Sequence, residues 1–223
     1  MGSNTTTPAR IVDLGTRAYH EVLLLQRDLV VARQSGSVPD TLILVEHPEV
    51  ITVGRSANPD NLVAPGEIPV VPVERGGDTT YHGPGQLVAY PIFALEESER
   101  DLHRYLRNLE EVVLRVLRDF GLSGSRVPGK TGVWIGEPRA TRKLASIGVA
   151  VRRWVTMHGL ALNVSTELSH FAAINPCGFP AHVMTSMSKE LGRPVDMLTA
   201  KRALAKHLAD VFARDWSETV DTP

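Results

Sequence analysis

The sequence lacks several features that define common protein classes. Its 223 residues contain one cysteine, Cys177, so no disulfide can form within the chain. No apolar run approaches 18 residues, and no basic-then-apolar leader opens the sequence. The formal net charge is -1, without the basic excess typical of nucleic-acid binders. We therefore expect a cytoplasmic protein with neither a membrane nor a nucleic acid as partner.

Metal-binding signatures are also missing. None of the eight histidines belongs to an HExxH motif or to a paired Cys/His spacing. The glycine-rich stretch RGGDTTYHGPGQ fails the G-x-G-x-x-G pattern, because Val88 occupies the final position. The sequence thus predicts no metal, and it offers no support for a dinucleotide cofactor.

Strand and helix patterns are both present. Apolar residues spaced by three and four predict a helix from Asp101 to Phe120, and apolar runs predict helices over 17–33 and 197–216. Strand-like segments lie between them, at 41–48, 49–55, 70–75 and 86–95, then GVWIG and KLASIGVAVRRWVTMHGLALNV, with a turn at Arg152 and Arg153. Centrally grouped strands predict an α+β fold, a mixed β-sheet flanked by helices. We expect a disordered leader over 1–8, one catalytic domain over 9–216 and a flexible tail over 217–223.

Residues 124–131, GSRVPGKT, satisfy the phosphate-loop pattern G-x-x-x-x-G-K-[ST]. That motif requires a strand before the loop and a helix after it. Here a helix ends just before the motif, strand-like GVWIG follows it, and Pro128 removes one amide donor. We interpret the match as a coincidence.

Four places carry reactive side chains. Cys177 lies in the loop-like stretch NPCG, where a free cysteine is equally consistent with a nucleophile and a buried filler. Lys143 opens KLASIG, where a lysine facing a cleft would act as a base. His82 and His158 each precede a glycine; we favour a functional interpretation for His82 and a structural one for His158.

Together these segments resemble the lipoyl(octanoyl) transferase family. The resemblance covers RGGDTTYHGPGQLVAYP, KLASIGVAV, HGLALNV and INPCG in the family's order, and most of the chain from about Asp13 to Arg193. It implies the fold of the biotin/lipoate protein ligase catalytic domain. Thr79 and Leu144 replace residues that are usually β-branched and aliphatic in the family, and neither change removes a reacting group.

The resemblance also implies a reaction without cofactors. An octanoyl group leaves acyl carrier protein as a thioester, passes to Cys177, and then reaches a lysine of a lipoyl domain. The expected acceptors are the lipoyl domains of 2-oxoacid dehydrogenase complexes and the glycine cleavage H protein. By motif, Cys177 is the nucleophile and Lys143 its partner. The implied substrate-binding residues are Arg75, Gly76, Gly77, Asp78, Thr79, Thr80, Tyr81, His82, Ser146, Ile147, Gly148, Gly159, Leu160 and Ala161.

Two alternatives remain at this level. An ATP-dependent lipoate or biotin ligase shares a glycine-rich RGG segment and a lysine but needs no cysteine nucleophile, and a non-catalytic acyl-binding or carrier-binding module needs neither.

A charge bias adds a partner argument, because residues 122–153 hold seven basic residues against only Glu137. We expect this basic region to attract an acidic carrier protein, although it is equally consistent with a solvated face.

Overall fold

The computed structural model describes residues 6–137 and 140–221, without the side chains of residues 177 and 217–221. Its strands are β1 Thr7–Thr16, β2 Asp40–Glu46, β3 Val50–Val53, β4 Val70–Pro72, β5 Thr79–His82, β6 Gln86–Ile92, β7 Gly124–Val127, β8 Lys130–Ile135, β9 Arg142–Arg152, β10 Val155–Asn163 and β11 Arg214–Asp221. Its α-helices are α1 Tyr19–Gln34, α2 Leu102–Asp119, α3 Met187–Leu191 and α4 Met197–Phe212. Short 3-10 turns connect several of these elements.

Within the described residues, the strands form two sheets. The large sheet has the order β11-β1-β2-β6-β10-β9-β8-β7, and the small sheet has the order β4-β3-β5. Strand β1 pairs in parallel with β2 and β11, whereas β2–β6, β6–β10, β10–β9, β9–β8 and β8–β7 are antiparallel. The expected mixed sheet is confirmed.

Helices cover both faces of the large sheet. On one face α1 packs through Tyr19, Val22, Leu23 and Leu29 against residues of β2, β6 and β10. On the other face α2 and α4 pack together over a larger core. The central strands β2, β6 and β10 thereby bury side chains on both of their faces, which explains their nearly uninterrupted apolar runs.

The ends of α2 agree with the sequence pattern. The Asp101 carboxylate accepts a hydrogen bond from the Arg104 amide at 3.0 Å, which satisfies one free donor of the first turn. Gly121 follows the helix in the left-handed conformation, with φ of 77°.

The predicted turn at Arg152 and Arg153 is also present, because residues 153 and 154 both have positive φ between β9 and β10.

The phosphate-loop match is a β-hairpin. Residues 124–127 form β7, Pro128 and Gly129 make the turn, and β8 begins at Lys130. Gly129 has φ of 74°, the conformation that the third residue of a type II turn needs. No helix follows the loop, so the motif has no helix N-terminus with which to bind a phosphate.

The structure corrects the expected ends of the chain. The last helix stops at Phe212 rather than at Trp216, and residues 214–221 form β11 where a flexible tail was expected over 217–223. Residues 7 and 8, expected in a disordered leader, belong to β1. The physical cause is mutual pairing of the two termini, together with Arg214, whose buried guanidinium donates to Asp40 Oδ2 at 2.7 Å. Strand β4 is also shorter than the predicted 70–75.

No helix among the described residues combines the length and the hydropathy needed to cross a lipid bilayer.

Candidate active site

Two cavities adjoin each other beside β9 of the large sheet. The inner cavity, of about 460 Å³, is lined by Tyr19, Arg75, Gly77, Asp78, Thr80, His82, Val88, Tyr90, Ser146, Ile147, Gly148, His158, Gly159, Leu160 and Ala161. The outer cavity, of about 950 Å³, is lined by Ser56, Gly76, Gly77, Asp78, Leu102, Leu106, Gly129, Lys130, Thr131, Lys143, Ile147, Gly148, Val149 and Phe179. The two linings share Gly77, Asp78, Ile147 and Gly148, so these residues form the junction.

Lys143 is buried at the start of β9 yet lines the outer cavity. Only 2% of the residue is exposed. Its Nζ lies 5.5 Å from the centroid of the Trp134 ring, and its carbonyl accepts the Thr185 amide at 3.0 Å. A buried lysine is rare because an ammonium loses hydration there, so its position beside a cavity indicates a chemical role.

Gly132 provides the space that the Lys143 side chain occupies. A Cβ atom at position 132 would lie 3.0 Å from Lys143 Cε and 2.5 Å from the Ala145 carbonyl oxygen. The residue also has φ of 123°, which L side chains rarely adopt. Glu110 of α2 accepts the Gly132 amide at 3.1 Å, so a buried carboxylate holds this part of β8 in place.

The turn that contains Cys177 borders the same cavity. Residues 176–178 form a 3-10 turn, and Phe179, two residues after Cys177, lines the outer cavity with its ring 5.2 Å from that of Trp134. Phe179, which directly follows this turn, and Lys143 therefore line the same cavity. The side chain of Cys177 lies outside the described residues.

Asn61 links this turn to the cavity junction. Its carbonyl accepts the Asn175 amide at 2.8 Å, and its side-chain amide donates to Asp78 Oδ2 at 2.5 Å. Asp78 Oδ1 also accepts the Thr79 amide at 2.7 Å. The carboxylate thus ties the glycine-rich segment to the loop on which the turn with Cys177 rests.

The start of the glycine-rich segment packs against β3 and β9. The Arg75 guanidinium donates to the carbonyl and the hydroxyl of Thr52, both at 2.9 Å, and the Gly76 amide donates to the Val149 carbonyl at 2.9 Å. A Cβ atom on Gly54 would lie 2.3 Å from the Gly77 carbonyl oxygen, so glycine is required for this close approach.

Most of the substrate-binding residues implied by the resemblance line a cavity. Of those fourteen, Gly76 lines the outer cavity only, and the others line the inner cavity except Thr79 and Tyr81. These two side chains alternate with Thr80 and His82 along β5 and so point to the opposite face. Tyr81 packs there against Phe171, with ring centroids 5.2 Å apart.

The structure adds residues that the sequence argument did not select. Tyr19 and Tyr90 line the inner cavity, as does His158, which was interpreted as structural. Leu102, Leu106 and Phe179 form apolar walls of the outer cavity. The glycine after His158 was a usable signal, but the tyrosines come from α1 and β6 and carry no local motif.

Burial keeps the histidines around the inner cavity neutral. Burial lowers the pKa of His47 to about 4 and, with the nearby His47, the pKa of His82 to about 3. Burial also lowers the pKa of His158 to about 4, although the Glu74 carboxylate acts in the opposite direction. Uncharged side chains suit a cavity whose other lining residues are largely apolar.

The basic region at 122–153 is less available than its composition indicates. Arg126 pairs with Glu110 and Glu111, while Arg142 pairs with Glu190 and Arg152 with Glu74. These acids lie outside the region, so counting charges along the chain overstates the field that a partner would meet. Arg139 lies outside the described residues.

No cluster of three or more His, Cys, Asp or Glu side chains in the described part of the chain is arranged to hold a metal ion.

Comparisons with known proteins give one consistent result. The family described as "Lipoyl protein ligase A/B catalytic domain" matches residues 18–209. An octanoyltransferase from Geobacter metallireducens is 51% identical over 195 residues, covering 87% of this chain and 89% of that protein. An octanoyltransferase from Syntrophotalea carbinolica is 50% identical over 202 residues, covering 91% and 93%.

Solved structures with low sequence identity share the fold. A putative lipoate protein ligase from Thermoplasma acidophilum with bound lipoic acid has a TM-score of 0.73 at 19% identity, covering 96% of this chain and 90% of that one. A biotin protein ligase from Aquifex aeolicus has a TM-score of 0.53 at 12% identity, covering 92% and 69%. The expected likeness to biotin and lipoate ligase domains is confirmed.

Proposed function

We propose that this chain transfers octanoyl groups through a thioester on Cys177. The chain belongs to the lipoyl protein ligase A/B catalytic domain family and is an octanoyltransferase of protein lipoylation. The observation that carries the proposal is the location of the buried Lys143 beside the cavity that borders the turn at 176–178. A neighbouring ammonium favours the thiolate, which is the nucleophilic form of cysteine.

The reaction proceeds in two transfers. The Cys177 thiolate attacks the carbonyl carbon of the incoming thioester, and the donor sulfur leaves as a thiol with the proton of the Lys143 ammonium, which becomes neutral. The amine of the acceptor lysine then attacks the Cys177 thioester, so an amide forms and the cysteine thiol is released. A thioester replaces a thioester in the first step and an amide forms in the second, so no nucleotide is consumed. An acceptor amine with an ordinary pKa of about 10.4 must first lose a proton, and neutral Lys143 accepts it.

The two cavities divide the substrate between them. The inner cavity takes the hydrocarbon chain, while the outer cavity takes the arm that connects the chain to its carrier. Burying six methylenes and one methyl contributes about 5.6 kcal/mol, at about 0.8 kcal/mol for each group. That amount favours medium chains over short ones.

The proposed partners are those that the family resemblance implies. The donor is octanoyl-acyl carrier protein, and the acceptors are lipoyl domains of 2-oxoacid dehydrogenase complexes and the glycine cleavage H protein. The outer cavity suits both, because each partner presents its reactive group on a long flexible arm. Its apolar wall at Leu102 and Leu106 suits the methylene groups of either arm.

The direct test uses intact-protein mass spectrometry. Wild-type protein incubated with octanoyl-loaded carrier is expected to gain one octanoyl group, which hydroxylamine removes and a lipoyl domain accepts. Cys177→Ala is expected to gain none. An unmodified wild-type protein that still binds the carrier would instead indicate a binding module.

A second arm tests the ligase alternative. The protein is incubated with free octanoate, ATP and Mg²⁺ in place of the loaded carrier, with a lipoyl domain present. We expect no modified lipoyl domain. Efficient modification under these conditions, retained in Cys177→Ala, would overturn the transferase mechanism.

A further inference from the structure

The end of the inner cavity away from Lys143 carries several polar aromatic side chains. Tyr19, His82, Tyr90 and His158 line the inner cavity but do not belong to its junction with the outer one. They form two neighbouring ring pairs, since the rings of Tyr19 and His82 stack at 5.8 Å and those of Tyr90 and His158 lie 6.5 Å apart. The methyl end of an acyl chain attached at Cys177 would reach this group.

Three of the four side chains have defined partners. The Arg17 carbonyl can only accept, so His47 donates to it through Nδ1, and neutral His47 then accepts the Tyr90 hydroxyl at its Nε2, 2.9 Å away. The ring of Tyr19 stacks on that of His82, with centroids 5.8 Å apart. His82 has Gln86 Oε1 2.7 Å from its Nδ1.

His158 differs from these three. It is 1% exposed, and neither ring nitrogen has a hydrogen-bond partner within the described residues. The nearest carboxylate oxygen, Glu74 Oε2, lies 3.7 Å from Nε2, beyond hydrogen-bonding distance. A neutral imidazole presents one donor and one acceptor, and leaving both unused in a buried site is costly.

The main chain at His158 is also unusual. Its φ of 57° falls in the left-handed region, which histidine rarely adopts inside a strand. Gln26 of α1 holds this conformation by accepting the His158 amide at 2.8 Å. Such a backbone conformation persists only when the surrounding structure supports it, and it is found most often at binding and catalytic sites.

We propose that His158 is a hydrogen-bonding partner for the distal end of the acyl chain, so that the inner cavity accepts eight-carbon acyl groups with a terminal hydroxyl as well as the unsubstituted chain. This inference rests on the proposed octanoyl transfer. A terminal hydroxyl donates to one ring nitrogen or accepts from the other, and it thereby replaces the water that it leaves. The substrate class is therefore ω-hydroxyacyl thioesters, with 8-hydroxyoctanoyl-carrier as the probe.

The test compares kcat/KM for 8-hydroxyoctanoyl-carrier and octanoyl-carrier, with transfer to a lipoyl domain measured by mass. An apolar pocket without a partner discriminates against an added hydroxyl by about 100-fold. With His158 as partner we expect the two donors to differ by less than about 10-fold. A discrimination near 100-fold in the wild type would overturn the inference.

Three variants sharpen the measurement. His158→Leu is expected to lower the ratio of 8-hydroxyoctanoyl to octanoyl activity at least about 10-fold. His158→Asn keeps a donor and an acceptor and tolerates left-handed φ, so it should preserve most of the ratio even if His158→Leu folds poorly. His103→Leu, at an exposed histidine that lines neither cavity, should leave the ratio unchanged. Equal ratios in wild type and in both His158 variants would contradict the inference. Loss of octanoyl transfer itself in the wild type would instead contradict the proposed function.

Discussion

The inner and outer cavities differ in the elements that build their walls. Most residues of the inner cavity come from β5, β6, β9 and β10, whose main chains are fixed by sheet hydrogen bonds. The outer cavity shares β9 but adds residues of the glycine-rich segment, the β7–β8 turn, the first turns of α2 and the loop that follows Cys177. On the proposed function, shape selection belongs to the sheet-built inner cavity, whereas the outer cavity, with more of its wall in loops and turns, serves different partner proteins.

The largest expected effect belongs to the outer cavity. Lys143→Met should lower octanoyl transfer by about 10²–10⁴-fold, because the variant loses both the ammonium near the thiol and the base for the acceptor amine. The matched control is Lys130→Met, since Lys130 Nζ also lies 5.5 Å from the Trp134 centroid but the residue is exposed. Steady-state transfer assays would compare them. Similar losses in both variants would mean that burial beside the cavity does not distinguish Lys143.

The second-largest effect concerns acid, which should lower the stability of the fold through the histidines around the inner cavity. His47, His82 and His158 have pKa values of about 4, 3 and 4, so they bind protons in the unfolded chain near pH 6.5 but not in the folded one. The contribution of these three histidines to the free energy of unfolding is fully present above their pKa in the unfolded chain. It is lost as the pH falls toward their pKa values in the folded protein. Between pH 7 and 5.5 we expect a loss of about 4 kcal/mol in the free energy of unfolding. Urea titrations at the two pH values measure it, and His82→Gln should reduce the loss by about one third. A flat profile would contradict buried neutral histidines.

A smaller effect on stability and transfer is expected at Gly132 of β8, which packs against Lys143 of β9. Gly132→Ala should destabilise the protein by about 1–3 kcal/mol and lower transfer, because its Cβ would displace the Lys143 side chain or the Ala145 carbonyl. Gly129→Ala, on the same hairpin with nothing within 4 Å of its Cβ, is the control for positive φ alone. Thermal unfolding and transfer assays separate the two. Equal activities in the two alanine variants would show that position 132 does not make room for Lys143.

The mildest prediction concerns chain length. Two methylenes at about 0.8 kcal/mol each give a preference of roughly 15-fold for octanoyl over hexanoyl donors. Ala161→Leu should abolish this preference, because the larger side chain fills part of the inner cavity. Leu106→Ala in the outer cavity should leave it intact. Competition between the two donors, followed by mass spectrometry, measures the ratio. A preference that changes with Leu106 and not with Ala161 would reverse the assignment of the two cavities.

Local patterns predicted the parts of the fold that depend on local contacts. The spacing of Leu102 to Phe120 identified α2, and strand-like GVWIG after the motif, together with the amide lost at Pro128, excluded a phosphate loop. The terminal strands could not be found in this way. Their pairing joins residues about two hundred positions apart, and β11 gains its hydrogen bonds only once β1 is in place.

Local sequence patterns also predicted only part of the candidate site. The resemblance to a family selected residues of the glycine-rich segment, β5, β9 and β10, and most of them line a cavity. Tyr19, Tyr90 and the orientation of His158 depend on how α1 packs on the sheet, which no short motif encodes. The ion pairs of Arg126 and Arg142 are likewise tertiary, so charge counted along the chain could not predict the basic surface.

The pH dependence of alkylation at Cys177 tests the central claim most directly. Because the chain has one cysteine, the rate of modification by iodoacetamide reports on a single thiol. The account predicts that this rate reaches half its maximum well below the ordinary thiol pKa of about 8.5, and that Lys143→Met raises this midpoint while Lys130→Met does not. A midpoint at or above the ordinary value in the wild-type protein, unchanged in Lys143→Met, would contradict it.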